Sequence, residues 1–316
     1  MTDVTAAKLA IRWWPLLLLI VLGALWGGNP AFSKALAIAG VSPFAVVFWQ
    51  TFGAGILLLL VCLARRTSLR FGTKHLIYFI FMGVVGVDVS YVTLVFTVEQ
   101  LSAGYVSVLI LFSPMLTYAI ALLLRMEPMV TIRAVGIAVG LAGAGVLVIP
   151  EGSLPSRDLL PLALLAFITP LGYAAANIFA EIGRPANTDN VTLAMGTMFA
   201  AALGALVGGL FDNSIYPVWE NFGHIEILLT FFALATAAAF LIFYVIIVME
   251  GAVYLGQVGY SVTVFGVCWG ILFFGEKPSA WLWLAAALVA VGVALVNFGK
   301  PRPAESADDG SRSPSS

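Results

Sequence analysis

Apolar residues run along this chain in long blocks, interrupted at intervals by short clusters of charged residues, Pro, Gly and Ser. Most blocks can cross roughly 30 Å of hydrocarbon, which takes about 20 helical residues. Reading from break to break predicts helices near 13–37, 42–64, 75–98, 101–124, 130–150, 158–182, 190–211, 225–249, 252–274 and 279–299. A closed β-barrel would show short segments of strict alternation, which this sequence does not have. The tightest predicted break is Met249-Glu250-Gly251, because an unbroken run from His224 to Phe274 would far exceed what a bilayer needs. Trp13 to Ala37 follows Lys8 and Arg12 as a secretory signal would, but it is too long and lacks a small-x-small cleavage pattern. It therefore reads as the first membrane helix.

Composition supports that reading. Of 316 residues, 61% are hydrophobic and 10% charged, with a mean hydropathy of +1.05; a soluble domain carries about 25% charged residues. The fold class is an all-α polytopic membrane protein. The formal net charge of −1, with no basic stripe, excludes nucleic acid as a partner. Cys62 and Cys268 each lie in an apolar run and read as packing residues, since a disulfide would need a closeness that spacing does not establish.

Lys and Arg set the orientation, because cytoplasmic loops collect them. With the N-terminus inside, the inner segments hold Lys8, Arg12, Arg65, Arg66, Arg70, Lys74, Arg125, Arg133, Arg184, Lys300, Arg302 and Arg312, whereas the outer loops hold only Arg157 and Lys277. Both termini are expected in the cytoplasm, with the protein in the inner (plasma) membrane. Residues 1–12 form a cytoplasmic segment. The tail 300–316, rich in Ser, Asp, Pro and Ala, is expected to be disordered.

A pattern recurs near the end of each half. In the first it runs from Gly104-Tyr105-Val106-Ser107 through Leu124-Arg125-Met126-Glu127-Pro128 to Ala142-Gly143-Ala144. In the second it runs from Val253-Tyr254-Leu255-Gly256 through Phe274-Gly275-Glu276-Lys277-Pro278 to Val291-Gly292-Val293. A shift of 149 aligns Tyr105 with Tyr254, Glu127 with Glu276 and Gly143 with Gly292. The ten transmembrane helices therefore read as two five-helix repeats, 13–150 and 151–299. Five is odd, so the second repeat is expected to enter the membrane inverted, the geometry of transporters that work by alternating access.

The residues Ala24-Leu25-Trp26-Gly27-Gly28-Asn29-Pro30-Ala31-Phe32-Ser33-Lys34, then Leu101-Ser102-Ala103-Gly104-Tyr105 leading to Phe112-Ser113-Pro114 and Glu127, then Phe274-Gly275-Glu276, carry a family likeness. The chain resembles the EamA-type branch of the drug/metabolite transporter superfamily over about residues 13 to 299. That resemblance implies a permease for amino acids, related metabolites or amphipathic compounds, with a cavity between the halves. The second half departs from the pattern: Val262-Thr263 stands where the first has Ser113-Pro114, and Leu171-Gly172-Tyr173 where the first has Trp26-Gly27-Gly28.

Polar groups inside hydrocarbon are costly unless paired or facing water, so each is a functional candidate. Asp88 lies about 21 Å along its helix from Lys74. On a regular helix Asp88, Tyr91, Val95 and Glu99 would share a face. Asp88 reads either as lining or a protonatable coupling site, or as a structural carboxylate. Gly27, Gly28 and Pro30, beside Asn29, should break the first span; Thr169-Pro170, near Tyr173 and Asn177, should break the sixth; Pro114 marks the fourth. Paired broken helices in corresponding positions point to a binding site, although kinks also serve packing. Lys34 can snorkel or attract a carboxylate-bearing substrate. Tyr105 and Ser113 on the fourth span, with Gln257 and Tyr260 on the ninth, are candidate lining. Trp13, Trp14, Trp219, Trp281 and Trp283 lie at span ends, as interfacial anchors do.

No cofactor or metal is expected: the two His, His75 and His224, sit in separate loop regions, and neither an HExxH pair nor a phosphate-binding Gly-rich loop occurs. Gly259-Tyr260-Ser261 does not complete GxSxG, which weighs against an intramembrane hydrolase. The expected partners are a small-molecule substrate and membrane lipids, and the expected functional unit is a monomer. The expected function is secondary transport, more in the direction of export; a lipid or lipid-linked-sugar flippase on the same scaffold is the alternative.

Overall fold

The computed structural model describes residues 2–67, 72–148, 154, 156–219 and 223–298. The tail 300–316 and the junction between the predicted repeats lie outside the described residues. All regular structure among those described is helical. In chain order the helices are α1 Trp13–Ile38, α2 Pro43–Ala64, α3 Thr73–Val98, α4 Ala103–Leu123, α5 Thr131–Leu147, α6 Arg157–Ile182, α7 Asn190–Phe211, α8 His224–Ala252, α9 Tyr254–Phe274 and α10 Ala280–Val296. Eight are long and apolar enough to cross a membrane; α5 and α10 are shorter apolar helices. These two fall at the lower end of what roughly 17–25 residues can span.

Local chemistry sets the helix ends. Ser42 caps α2 by accepting from the Ala45 N–H at 3.2 Å, with Pro43 in the first turn where its missing N–H costs nothing. Asp189 accepts from the Val191 N–H at 2.8 Å to start α7. Gly275, at φ +60°, ends α9 in the left-handed region, and the Glu276 N–H turns back to the Gly270 carbonyl at 3.3 Å. The expected break at Met249-Glu250-Gly251 is present: Gly251 holds φ +79°, ψ 176°, a region essentially confined to glycine.

The packing repeats itself when the halves are exchanged. α1 lies on α9 as α6 lies on α4; α1 lies on α8 as α6 lies on α3; α2 lies on α8 as α7 lies on α3. The remaining major pairs, α2 with α7, α4 with α9 and α5 with α10, map onto themselves under that exchange. Small residues permit the closest approaches. A methyl group at Gly136 of α5 would stand 2.5 Å from the Gly292 carbonyl oxygen of α10, and one at Gly292 would stand 2.6 Å from that of Gly136.

Four helices are interrupted, and they correspond between halves. α1 breaks at Gly28 and α6 at Phe167; α4 breaks at Leu111-Phe112 and α9 at Gln257. Pro30, Pro170 and Pro114 cannot donate to the carbonyls of Trp26, Ala166 and Ile110, so three of the breaks have a covalent cause. The fourth has none: Gln257 is followed by tight turns, with its own N–H on the Tyr254 carbonyl at 3.0 Å and that of Tyr260 on the Gln257 carbonyl at 3.1 Å.

Candidate functional site

The breaks in α1, α4, α6 and α9 surround one cavity, completed by α3 and α8. Its wall is aromatic. The rings of Trp26 and Tyr173 stack at 6.5 Å between centroids, with planes 3° apart, and Tyr91 meets Tyr173 edge-on at 5.9 Å. Phe240 and Phe243 of α8 stand 5.9 and 5.8 Å from Trp26. Ser113 and Asn177 supply the polar part, and among the described residues no acidic or basic side chain lines the cavity. Asn177 donates to the Thr117 hydroxyl at 3.3 Å, and that hydroxyl donates to the Ser113 carbonyl at 2.8 Å. Asn29, buried at the start of the second piece of α1, lies near the Tyr91 hydroxyl.

The cavity volume is about 40 Å³. At roughly 10–15 Å³ per water this admits only a few waters, and anything larger fits only if the surrounding helices part.

The register of α3 decides which of its polar groups faces this cavity. Residues Phe81–Val89 form a π-helical stretch, whose wider turn rotates the rest of α3 relative to a regular helix. Tyr91 lines the cavity, whereas Asp88 packs against Gly204 of α7, and the stripe expected through Asp88, Tyr91, Val95 and Glu99 does not form. Both carboxylate oxygens of Asp88 are buried without a hydrogen-bond partner among the described residues. Glu99 is exposed just past α3. The Thr169 hydroxyl donates to the Ser90 carbonyl at 3.0 Å, and Gly172 lets α6 lie against the Ser90 side chain. These contacts bring Tyr173 and Asn177 beside Tyr91.

Other candidates are occupied elsewhere. The Tyr105 hydroxyl donates to the Leu147 carbonyl at 3.2 Å, tying α4 to α5, and that of Tyr260 donates to Ala290 in α10 at 3.2 Å. Neither lines the central cavity; Gln257 forms the break in α9. Lys34 does not snorkel. Its ammonium lies 2.6 Å from Glu276, with 15% and 9% of the two side chains exposed, and 5.0 Å from the Phe274 ring centre. Glu276 also accepts from the N–H groups of Ala103 and Gly104 at 2.8 and 3.0 Å. Phe240 and Phe243 were not among the sequence candidates, because they sit in an unbroken apolar run with no signal to mark them.

The profile of the EamA-like transporter family matches the sequence twice, over residues 13–149 and 160–298, one match on α1–α5 and one on α6–α10. The chain belongs to the EamA-like transporter family. As such it is a multi-pass membrane transporter built from two repeats, in agreement with the exchange symmetry of its packing. A relative in Bacillus subtilis (strain 168), "Uncharacterized transporter YvbV", is 23% identical over 281 residues, covering 89% of this EamA-like chain and 90% of the relative. A crystal structure of a protein 20% identical to this chain superposes with a TM-score of 0.67, covering 92% of this chain and 100% of the other, a likeness of fold.

Proposed function

We propose that this EamA-like chain is a secondary transporter that exports small amphipathic metabolites, amino acids or related compounds, across the inner membrane by alternating access. In this reading α5 and α10 also cross the bilayer. The two five-helix repeats are inverted and both termini are cytoplasmic. The observation that carries the proposal is the convergence of four broken helices, paired between repeats, on one aromatic cavity. An aromatic wall with amide and hydroxyl groups and no fixed charge suits a solute with an apolar body that is neutral or zwitterionic overall. A flippase would need this cavity to open sideways. The apolar grooves at α2/α8 and at α4/α9/α10 share no lining residue with it.

Asp88 is the candidate proton carrier. Buried at the α3–α7 contact with no hydrogen-bond partner among the described residues, it would act through helix packing and not by touching the solute.

The test is purified protein in liposomes, challenged with labelled amino acids and amphipathic compounds with and without a pH gradient. Saturable flux is expected for at least one compound, lost in Trp26→Ala, with Asp88→Asn abolishing its dependence on the gradient. No flux for any compound, with hydrolysis or flipping of lipid instead, overturns the reading; unchanged gradient dependence in Asp88→Asn removes the role of that residue.

A further inference from the structure

Between the cavity and Lys34, helices α1, α4 and α9 approach one another closely at small residues. A methyl at Gly27 of α1 would stand 2.6 Å from the Phe265 side chain of α9, and one at Gly266 of α9 would collide with the Ser107 side chain of α4. The Thr263 hydroxyl of α9 donates to the Ser107 carbonyl at 2.8 Å, between these contacts and the cavity residue Val262. At the far end the carboxylate of Glu276 joins three elements: the Lys34 ammonium on α1 and the Ala103 and Gly104 N–H groups at the start of α4, with Gly275 turning it out of α9. Unpaired N–H groups and partial positive charge at a helix start favour a carboxylate there, so it meets attraction from both partners at once.

We infer that Lys34 and Glu276 form the latch of one gate, holding α1 and α4 of the first repeat against α9 of the second and closing the cavity from the end at which they stand. The inference rests on the transporter reading only for what passes the gate, since the latch itself is a matter of which face reaches the cavity. Opening on that side requires Glu276 to leave Lys34 and the start of α4 together.

The test needs no substrate. In a background with Cys62→Ala and Cys268→Ser, Thr263→Cys and, separately, Asn177→Cys report entry of a membrane-impermeant thiol reagent applied to each face of sealed vesicles. With Glu276→Gln or the milder Lys34→Met, the Thr263→Cys thiol is expected to label faster from the Lys34 face by roughly five- to a hundredfold, the range of conformational couplings. Labelling of the Asn177→Cys thiol from the opposite face should slow at the same time, because opening one side closes the other. Lys34→Arg should keep the wild-type pattern. Exchanging the charges, Lys34→Glu with Glu276→Lys, should not restore it, because a lysine cannot accept from Ala103 and Gly104. Unchanged labelling of Thr263→Cys in both variants overturns the inference, and so does faster labelling at both positions, which would mean general loosening. A failure of substrate flux with reciprocal labelling intact would count against the transporter reading and leave the latch standing.

Discussion

The two ends of the central cavity are closed differently. Toward Lys34, α4 and α9 meet so closely that Gly266 has no room for a methyl group, and an ion pair with two backbone donors seals the end. Toward Glu181 the same helices meet at ordinary van der Waals distance: a methyl at Gly256 or Gly259 would stand 3.4 Å from Pro114. Among the described residues, the Ala252 N–H donates to Glu181 there at 2.9 Å, with the Asn177–Thr117 bond nearer the cavity.

The difference arises within a shared pattern. Both α4 and α9 end in a left-handed residue followed closely by a glutamate: Arg125 at φ +58° before Glu127, and Gly275 at φ +60° before Glu276. Glu276 comes directly after its turn residue and reaches the other repeat. Glu127 comes one residue later and pairs within its own repeat with Arg133 at 2.9 Å, whose guanidinium also lies 4.7 Å from the Tyr118 ring centre. One residue of spacing thus turns equivalent carboxylates toward different partners.

Paired glycine substitutions in α9 would break this comparison most severely. Gly266→Ala should cost about 3 kcal/mol by forcing α4 and α9 apart, whereas Gly256→Ala should change stability by about 0.5 kcal/mol or less; thermal unfolding in detergent measures both. Equal losses would mean that the two ends are equally tight. Next in size is Gly251→Ala, expected to destabilise by about 2 kcal/mol because of its backbone conformation and to expose Asn177→Cys to thiol reagent from the Glu181 face. Smaller than the Gly266→Ala and Gly251→Ala losses is that of Thr117→Val, which removes the acceptor of Asn177 and should cost about 1 kcal/mol; unfolding measured against Asn177→Ala in a double-mutant cycle isolates the shared bond.

Much of this was legible in the sequence because the bilayer simplifies the problem. Long apolar blocks must become helices, and Pro30, Pro114 and Pro170 must interrupt them whatever their neighbours. The break at Gln257 had no such marker, and the π-helical stretch in α3 gave none either. A periodic reading therefore carried Asp88 and Tyr91 onto one face that the structure divides. Lys34 was visible as a cation near the outer end of its span, but its partner lies 242 positions away.

By itself, then, the sequence determined the helical class, the two repeats and three of the four breaks, since each follows from hydrophobic length or from the missing N–H of proline. Tertiary structure decided which side chains share the cavity and which carboxylate meets Lys34. Those outcomes depend on helix rotation and on close approach at glycines, and both are set by a partner distant in the chain.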